Sequence, residues 1–103
     1  MVIPPQVKSK VDDIRSKYPN PVSSNFRVIG EDSYCVGGAC YRYAGLSSTM
    51  DFPEEDEIAT ALRRLNTALS EDDAFAFAVE IIDDNDAGIF DDAWHTVEEA
   101  LSS

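Results

Sequence analysis

Two cysteines, one histidine and a dense set of carboxylates are the residues of this 103-residue chain whose types could do chemistry. Cys35 and Cys40 stand in a C-x4-C spacing, which is not the CxxC of redox dithiols. Only one further soft ligand, His95, exists, so a zinc site would need a carboxylate or a second copy of the chain to complete it. A helix N-terminus lowers the pKa of a thiol, so Cys40 in the first turn of a helix has a physical route to nucleophilicity. The base would be His95, oriented by Asn85 or Asp86, in a Cys-His-Asn/Asp arrangement with Cys35 or Cys40 as nucleophile. Nothing in the spacing brings His95 near either cysteine. The favoured reading is that both cysteines are small buried hydrophobes.

The acidic stretch 83–92, DDNDAGIFDD, invites comparison with a calcium loop. Counting from Asp83, Asn85 and Gly88 fit positions three and six, but Ala87 replaces a ligand and Trp94 stands where the bidentate Glu belongs. The stretch thus lacks two side-chain ligands of a regular calcium hand, which argues against one, and a loose cation site at Asp83, Asp84 and Asp86 is the residual candidate. The favoured alternative is a turn in which Asn85 and Asp86 hydrogen-bond backbone N–H groups. Gly37-Gly38 makes no phosphate loop, and neither a nucleophile elbow nor an HExxH motif occurs. No cofactor is expected.

The formal charge of -12, from 20 acids and 8 bases, argues against direct nucleic-acid binding and against an anionic membrane surface. It makes a basic protein partner or a divalent cation electrostatically easier; the favoured reading is that it simply keeps the chain in solution, as a salt-adapted host would also select. Two surfaces are candidates for protein interaction. One is Tyr34, Tyr41, Arg42 and Tyr43, residue types enriched in interfaces. If 39–44 is helical, Tyr41 and Tyr43 cannot both face inward on a narrow stripe; either one ring is exposed beside Arg42, or both lie flat at the edge of the core. The other is Glu54, Glu55 and Asp56, which with Asp51 and Glu57 crowd a helix start. Acids there also interact favourably with the helix dipole.

The elements that position these residues are mostly legible. Val7, Val11, Ile14 and Tyr18 recur at helical spacing, with Pro5 in the first turn and Pro19, Asn20 and Pro21 as the stop, which predicts a helix from Pro5 to Tyr18. Residues 21–33 connect, with a short strand possible around Phe26–Ile29. Residues 34–45, YCVGGACYRYAG, read either as a hairpin turning at Gly37-Gly38 or as a short helix from Gly38 to Ala44 that Gly45 ends. Asp51 and Glu54 form a capping box for a helix carrying Ile58, Ala61, Leu62, Leu65 and Leu69. Ser70 caps a buried helix with the body AFAFAVEII, whose alanines let neighbours approach closely. Asp91 or Asp92 caps a last helix, 92–102, with Trp94, Val97 and Leu101 inward. Short connections predict antiparallel packing of the last three helices.

Two segments carry a resemblance. Cys35, Val36, Gly37, Gly38 and Ala39, and later Asn85 and Asp86 followed by Trp94, Val97, Glu98, Glu99 and Leu101, are similar to a group of small uncharacterised helical proteins of bacteria and their phages. Those proteins have a Cys-x-x-Gly-Ala helix start and a later Asn-Asp turn before a terminal helix. The resemblance spans about 34–102. It implies a helical fold with a short helix after the glycines, and it decides residues 34–45 for helix over hairpin. It implies no activity and no site residues.

The expectation is one mainly α domain over 1–103, a bundle of four main helices and one short one, with a minor strand or hairpin as the alternative. Its core would be Val11, Ile14, Ile58, Leu62, Leu65, Phe75, Val79, Ile82, Trp94 and Leu101. No stretch reaches the roughly 18 apolar residues of a membrane span. No hydrophobic signal region opens the sequence, so a cytoplasmic location is expected. The function expected is binding: a small acidic adaptor, regulator or inhibitor. A cysteine-dependent enzyme, a mimic of nucleic-acid charge and a homodimeric module are the rivals.

Overall fold

Helices form wherever apolar side chains recur every three or four residues, and five of them are found in the computed structural model, which describes residues 3–18, 36–46 and 55–103. They are α1 (Pro5–Lys17), α2 (Val36–Tyr43), α3 (Glu55–Leu65), α4 (Glu71–Asp86) and α5 (Phe90–Ser102). The protein is a small, mainly α bundle. The strand proposed at 26–29, the capping box of Asp51 and Glu54, and the positions of Tyr34 and Cys35 lie outside the described residues. Among the described residues, no helix is long and apolar enough to cross a membrane.

The second helix organises the rest. Residues 36–41, VGGACY, contain no charged group, and all six are buried. A helix that is apolar on every side belongs inside, and α2 touches each of the other four helices. It is helical from its first described residue, Val36, so both glycines lie within the helix rather than ahead of it. At Gly37 the absent side chain matters: a Cβ there would fall onto Cδ1 of Ile58 and within 3.0 Å of its Cγ1. Glycine thus brings α2 onto α3 at closer range than any side chain would allow. At the other end Gly45 takes a φ of +82°. The N–H of Gly45 bonds the carbonyl of Arg42, and that of Leu46 bonds Tyr41, which closes the helix in a Schellman turn.

The stripe of α1 is as the spacing predicts. Val11 and Ile14 are buried, and Val7 and Tyr18 pack against the core from its edge. Helix α3 ends at Leu65 rather than continuing to Leu69. The reason is Asn66, whose Oδ1 accepts from the N–H of Ala68 and whose Nδ2 donates to the carbonyls of Ala100 and Ser103. One amide side chain therefore both turns the chain and ties it to the end of α5, adding to the bond that the Ala100 carbonyl accepts from the N–H of Ser103. Leu69 still reaches the core from this turn.

Helix α4 starts as expected, with the Ser70 hydroxyl accepting from the N–H of Asp73. Its phase differs from expectation. The buried positions are Ala74, Ala78, Ile81 and Asn85. Phe75 is 49% exposed, and Val79 and Ile82 are only partly buried. Both faces of AFAFAVEII are apolar, and the face that turned inward carries the alanines. A small-residue face lets α4 lie close to its neighbours, and its most extensive contacts are with α3 and α5.

The stretch 83–92 is likewise not one turn. Helix α4 continues to Asp86, and the reversal is confined to Ala87, Gly88 and Ile89, with Gly88 at a φ of +78°. Bonds from Gly88 to Asn85 and from Ile89 to Asp84 make a second Schellman turn. Helix α5 follows at once from Phe90, so Asp91 and Asp92 lie in its first turn rather than capping it; Ile89 holds the cap position. Trp94, Val97 and Leu101 face the core as expected.

Candidate functional site

The sequence candidates are dispersed by this architecture. Cys40 is wholly buried in α2, where its thiol is not presented to a substrate. The His95 side chain is 61% exposed on α5 and lies 3.4 Å from Glu99 one turn on. An enclosed thiol and an outward imidazole do not share a site, so the Cys-His-Asn/Asp arrangement is not assembled with Cys40. Asn85, its proposed orienting residue, is only 2% exposed. Its Oδ1 instead accepts a 2.8 Å hydrogen bond from the backbone N–H of Val36. That N–H belongs to the first described residue of α2. Asn85 thus joins the end of α4 to the buried helix α2.

The cation candidate is dispersed too. Asp83, Asp84 and Asp86 stand on the last turn of α4, and at about 100° per residue Asp84 points away from the other two. Among the described residues no group of three His, Cys, Asp or Glu side chains is gathered as a metal would require.

The Tyr-Arg patch resolves into two roles. Tyr41 is buried in the core. Tyr43 is half-buried, and its hydroxyl donates a 2.6 Å bond to Asp13 Oδ2 on α1. The Lys17 ammonium lies 5.0 Å from the centre of the same ring and 3.6 Å from the Asp13 carboxylate. Arg42 is exposed beside them. The cluster is a clasp between α1 and α2. The Tyr43 hydroxyl, with help from Lys17, holds the Asp13 carboxyl below the ordinary carboxylate range. The same bond, together with partial burial, raises the pKa of Tyr43.

These shifts set a pH dependence. A depressed carboxyl contributes stability above its unfolded pKa and loses it as pH falls through the folded value. A raised phenol contributes below its unfolded pKa and loses it as pH rises through the folded one. The difference in Tm between the protein and Tyr43→Phe is therefore expected to be widest between about pH 5 and pH 9 and to narrow at both ends. Thermal melts across pH check this, and a difference that stays flat would remove the clasp from the stability of the fold. A second clasp lies nearby. Arg15 reaches Asp91 at 3.2 Å and stacks 5.6 Å from the centre of the Trp94 ring, so it joins α1 to α5 at the surface.

One surface combines apolar exposure with charge. Asp56, Glu57, Ala59, Thr60 and Arg63 of α3 and Glu71 and Phe75 of α4 line a shallow groove between the two helices. Its apolar lining is Ala59 and Phe75; its charged lining is three carboxylates and the Arg63 guanidinium. Thr60 turns its hydroxyl back to the carbonyl of Asp56, and Arg63 donates through Nε to the carbonyl of Leu69, which holds that guanidinium at one end. Leaving a Phe half in water forgoes about 1 kcal/mol of burial. Asp56 was legible as an interaction candidate, and Glu55 is exposed one residue before it; Glu54 lies outside the described residues. Phe75 and Glu71 were not legible, because Phe75 reads as core until the phase of α4 is known. A smaller depression around Gly88, Ile89, Phe90, Asp91 and Asp92 has the same character, with Ile89 46% exposed.

Comparison with protein-family models, with curated proteins and with solved structures finds no match to this chain.

Proposed function

We propose that this protein is a small acidic binding module whose partner is a protein presenting a Lys/Arg-rich surface. The observation that carries this reading is the segregation of charge. Residues 65–103 hold eleven Asp and Glu and no Lys or Arg. Helices α4 and α5 therefore present a single-sign surface, while the lysines Lys8, Lys10 and Lys17 sit together on α1. The sign of that surface does not suit direct contact with phosphate backbones. It does suit steered encounter with a basic protein. The last turn of α4 supports the reading as well. Asp83, Asp84 and Asp86 lie at the negative end of the helix dipole with no basic residue among them, an arrangement that works against helix stability.

The test is affinity capture from the lysate of the source cells at low salt, run in parallel with a variant carrying Glu80→Gln, Asp83→Asn and Asp86→Asn. These three side chains are exposed, so the core is untouched. The expected outcome is a Lys/Arg-rich partner retained by the natural protein, released as salt rises, and held several-fold less by the variant. Equal retention by both proteins would overturn the reading. Competition by duplex DNA in the same experiment identifies a partner that itself binds nucleic acid, the case in which this surface acts as a mimic of phosphate charge.

A further inference from the structure

We propose that the groove between α3 and α4 is where the partner is gripped, and that its occupant is a cationic amphipathic helix. One apolar side chain of that helix would rest on Phe75, with Lys or Arg residues on either side meeting Asp56, Glu57 and Glu71. This rests on the binding reading above and adds a place and a chemistry to it.

The geometry is specific. Asp56, Thr60 and Arg63 are spaced along one flank of α3, and Glu71 and Phe75 are one turn apart on the facing flank of α4. The walls are two helices fixed by the core, since Ile58 and Leu62 behind the first, and Ala74 and Ala78 behind the second, are fully buried. A rigid two-helix trough with an apolar lining suits an inserted helix whose anchors repeat every three or four residues. Phe75 supplies the aromatic contact that dominates such interfaces. Three carboxylates against one guanidinium, that of Arg63, which is engaged by the Leu69 carbonyl, select the flanking charge. A second copy of this chain is a poor occupant, because it would bring a like charge of -12 to the same rim.

The acidic surface alone would bind any polycation, so the test must separate charge from groove. The probes are a fluorescein-labelled amphipathic helical peptide of Lys and Leu and a Lys-Ser peptide of equal charge, titrated by fluorescence polarisation. The Lys-Leu peptide is expected to bind about tenfold more tightly. Phe75→Ala should abolish that advantage and leave the Lys-Ser affinity unchanged. Ile89→Ala, at the other exposed large hydrophobic side chain among the described residues, should leave the advantage intact. Because Phe75 is half exposed, its replacement is expected to keep the fold, and an unchanged melting curve verifies that. As a second measurement, amide shifts induced by the Lys-Leu peptide should centre on residues 56–63 and 71–75. Equal binding of the two peptides, or an advantage that survives Phe75→Ala, would overturn the groove while leaving the acidic binding reading standing. Failure of both peptides to bind at low salt would overturn both. Self-association that Phe75→Ala abolishes would make the occupant a second copy and overturn the choice of a cationic partner.

Discussion

Replacing Asn85 by Ala is expected to lower the stability of the protein by about 2–3 kcal/mol, a drop in Tm on the order of 10 °C. The size comes from what is left behind. Val36 is fully buried, and its N–H points to the end of α4. Asn85 Oδ1 answers it at 2.8 Å. Truncation strands the donor where water does not enter, and a stranded buried donor costs about 1–3 kcal/mol, with lost amide packing added. Helix propensity works the other way, since Ala is the better helix former. Glu80→Ala, at an exposed site on the same helix, measures that propensity gain alone. Urea unfolding of both variants beside the natural protein decides the matter: a loss at Asn85 no larger than about 0.5 kcal/mol would mean that the bond does not hold α2 in place.

Gly37→Ala is expected to destabilise by about 2 kcal/mol, although the same change in an open helix would stabilise by about 1. The sign is set by Ile58. The added methyl falls onto Ile58 Cδ1 and within 3.0 Å of Cγ1, and Ile58 has no exposed surface into which it could swing. Ile58→Val removes Cδ1 and by itself costs about 1 kcal/mol for the lost methylene. In that background Gly37→Ala should become neutral or stabilising. A double-mutant cycle by urea unfolding is the check. Simple additivity of the two changes would show that the clash is relieved elsewhere and that the glycine is not what sets the distance between α2 and α3.

Both predictions concern residues whose importance was only half visible in the sequence. Features decided by neighbours in the chain were readable. The stripe Val7, Val11, Ile14 and Tyr18 fixed a face of α1, Ser70 announced the start of α4, and Gly45 marked the end of α2. Features decided by distant partners were not. Asn85 and Val36 are 49 positions apart, so an Asn beside acids looked like a turn residue or a catalytic accessory. The phase of α4 was hidden for a similar reason. Phe75, Val79 and Ile82 form as good a stripe as Ala74, Ala78 and Ile81, and hydrophobicity favours the former. What decided between them was how closely α3 and α5 could approach, a property of three helices at once. The candidate groove inherited that uncertainty: Asp56 and Glu57 stood in plain view, but Phe75 was assigned to the interior. His95 and Cys40 could be judged only when one was seen to point outward and the other to be enclosed.

Placing the uncharged stretch VGGACY of α2 at the centre, against four other helices, has a consequence for the chain as it is made. Helix α2 comes second in order, whereas α3, α4 and α5 all follow it. A ribosome adding about 5–20 residues per second exposes VGGACY for seconds before residues 55–101 exist to enclose it. During that interval the segment is apolar and unshielded. Its adjacent glycines weaken any extended pairing, and the acids that emerge next carry mutual repulsion between neighbouring nascent chains. The charge that we assign to partner recognition in the finished protein therefore acts earlier as a guard against aggregation, and an acid-for-neutral exchange anywhere in α3 to α5 is expected to be felt first in the yield of folded protein.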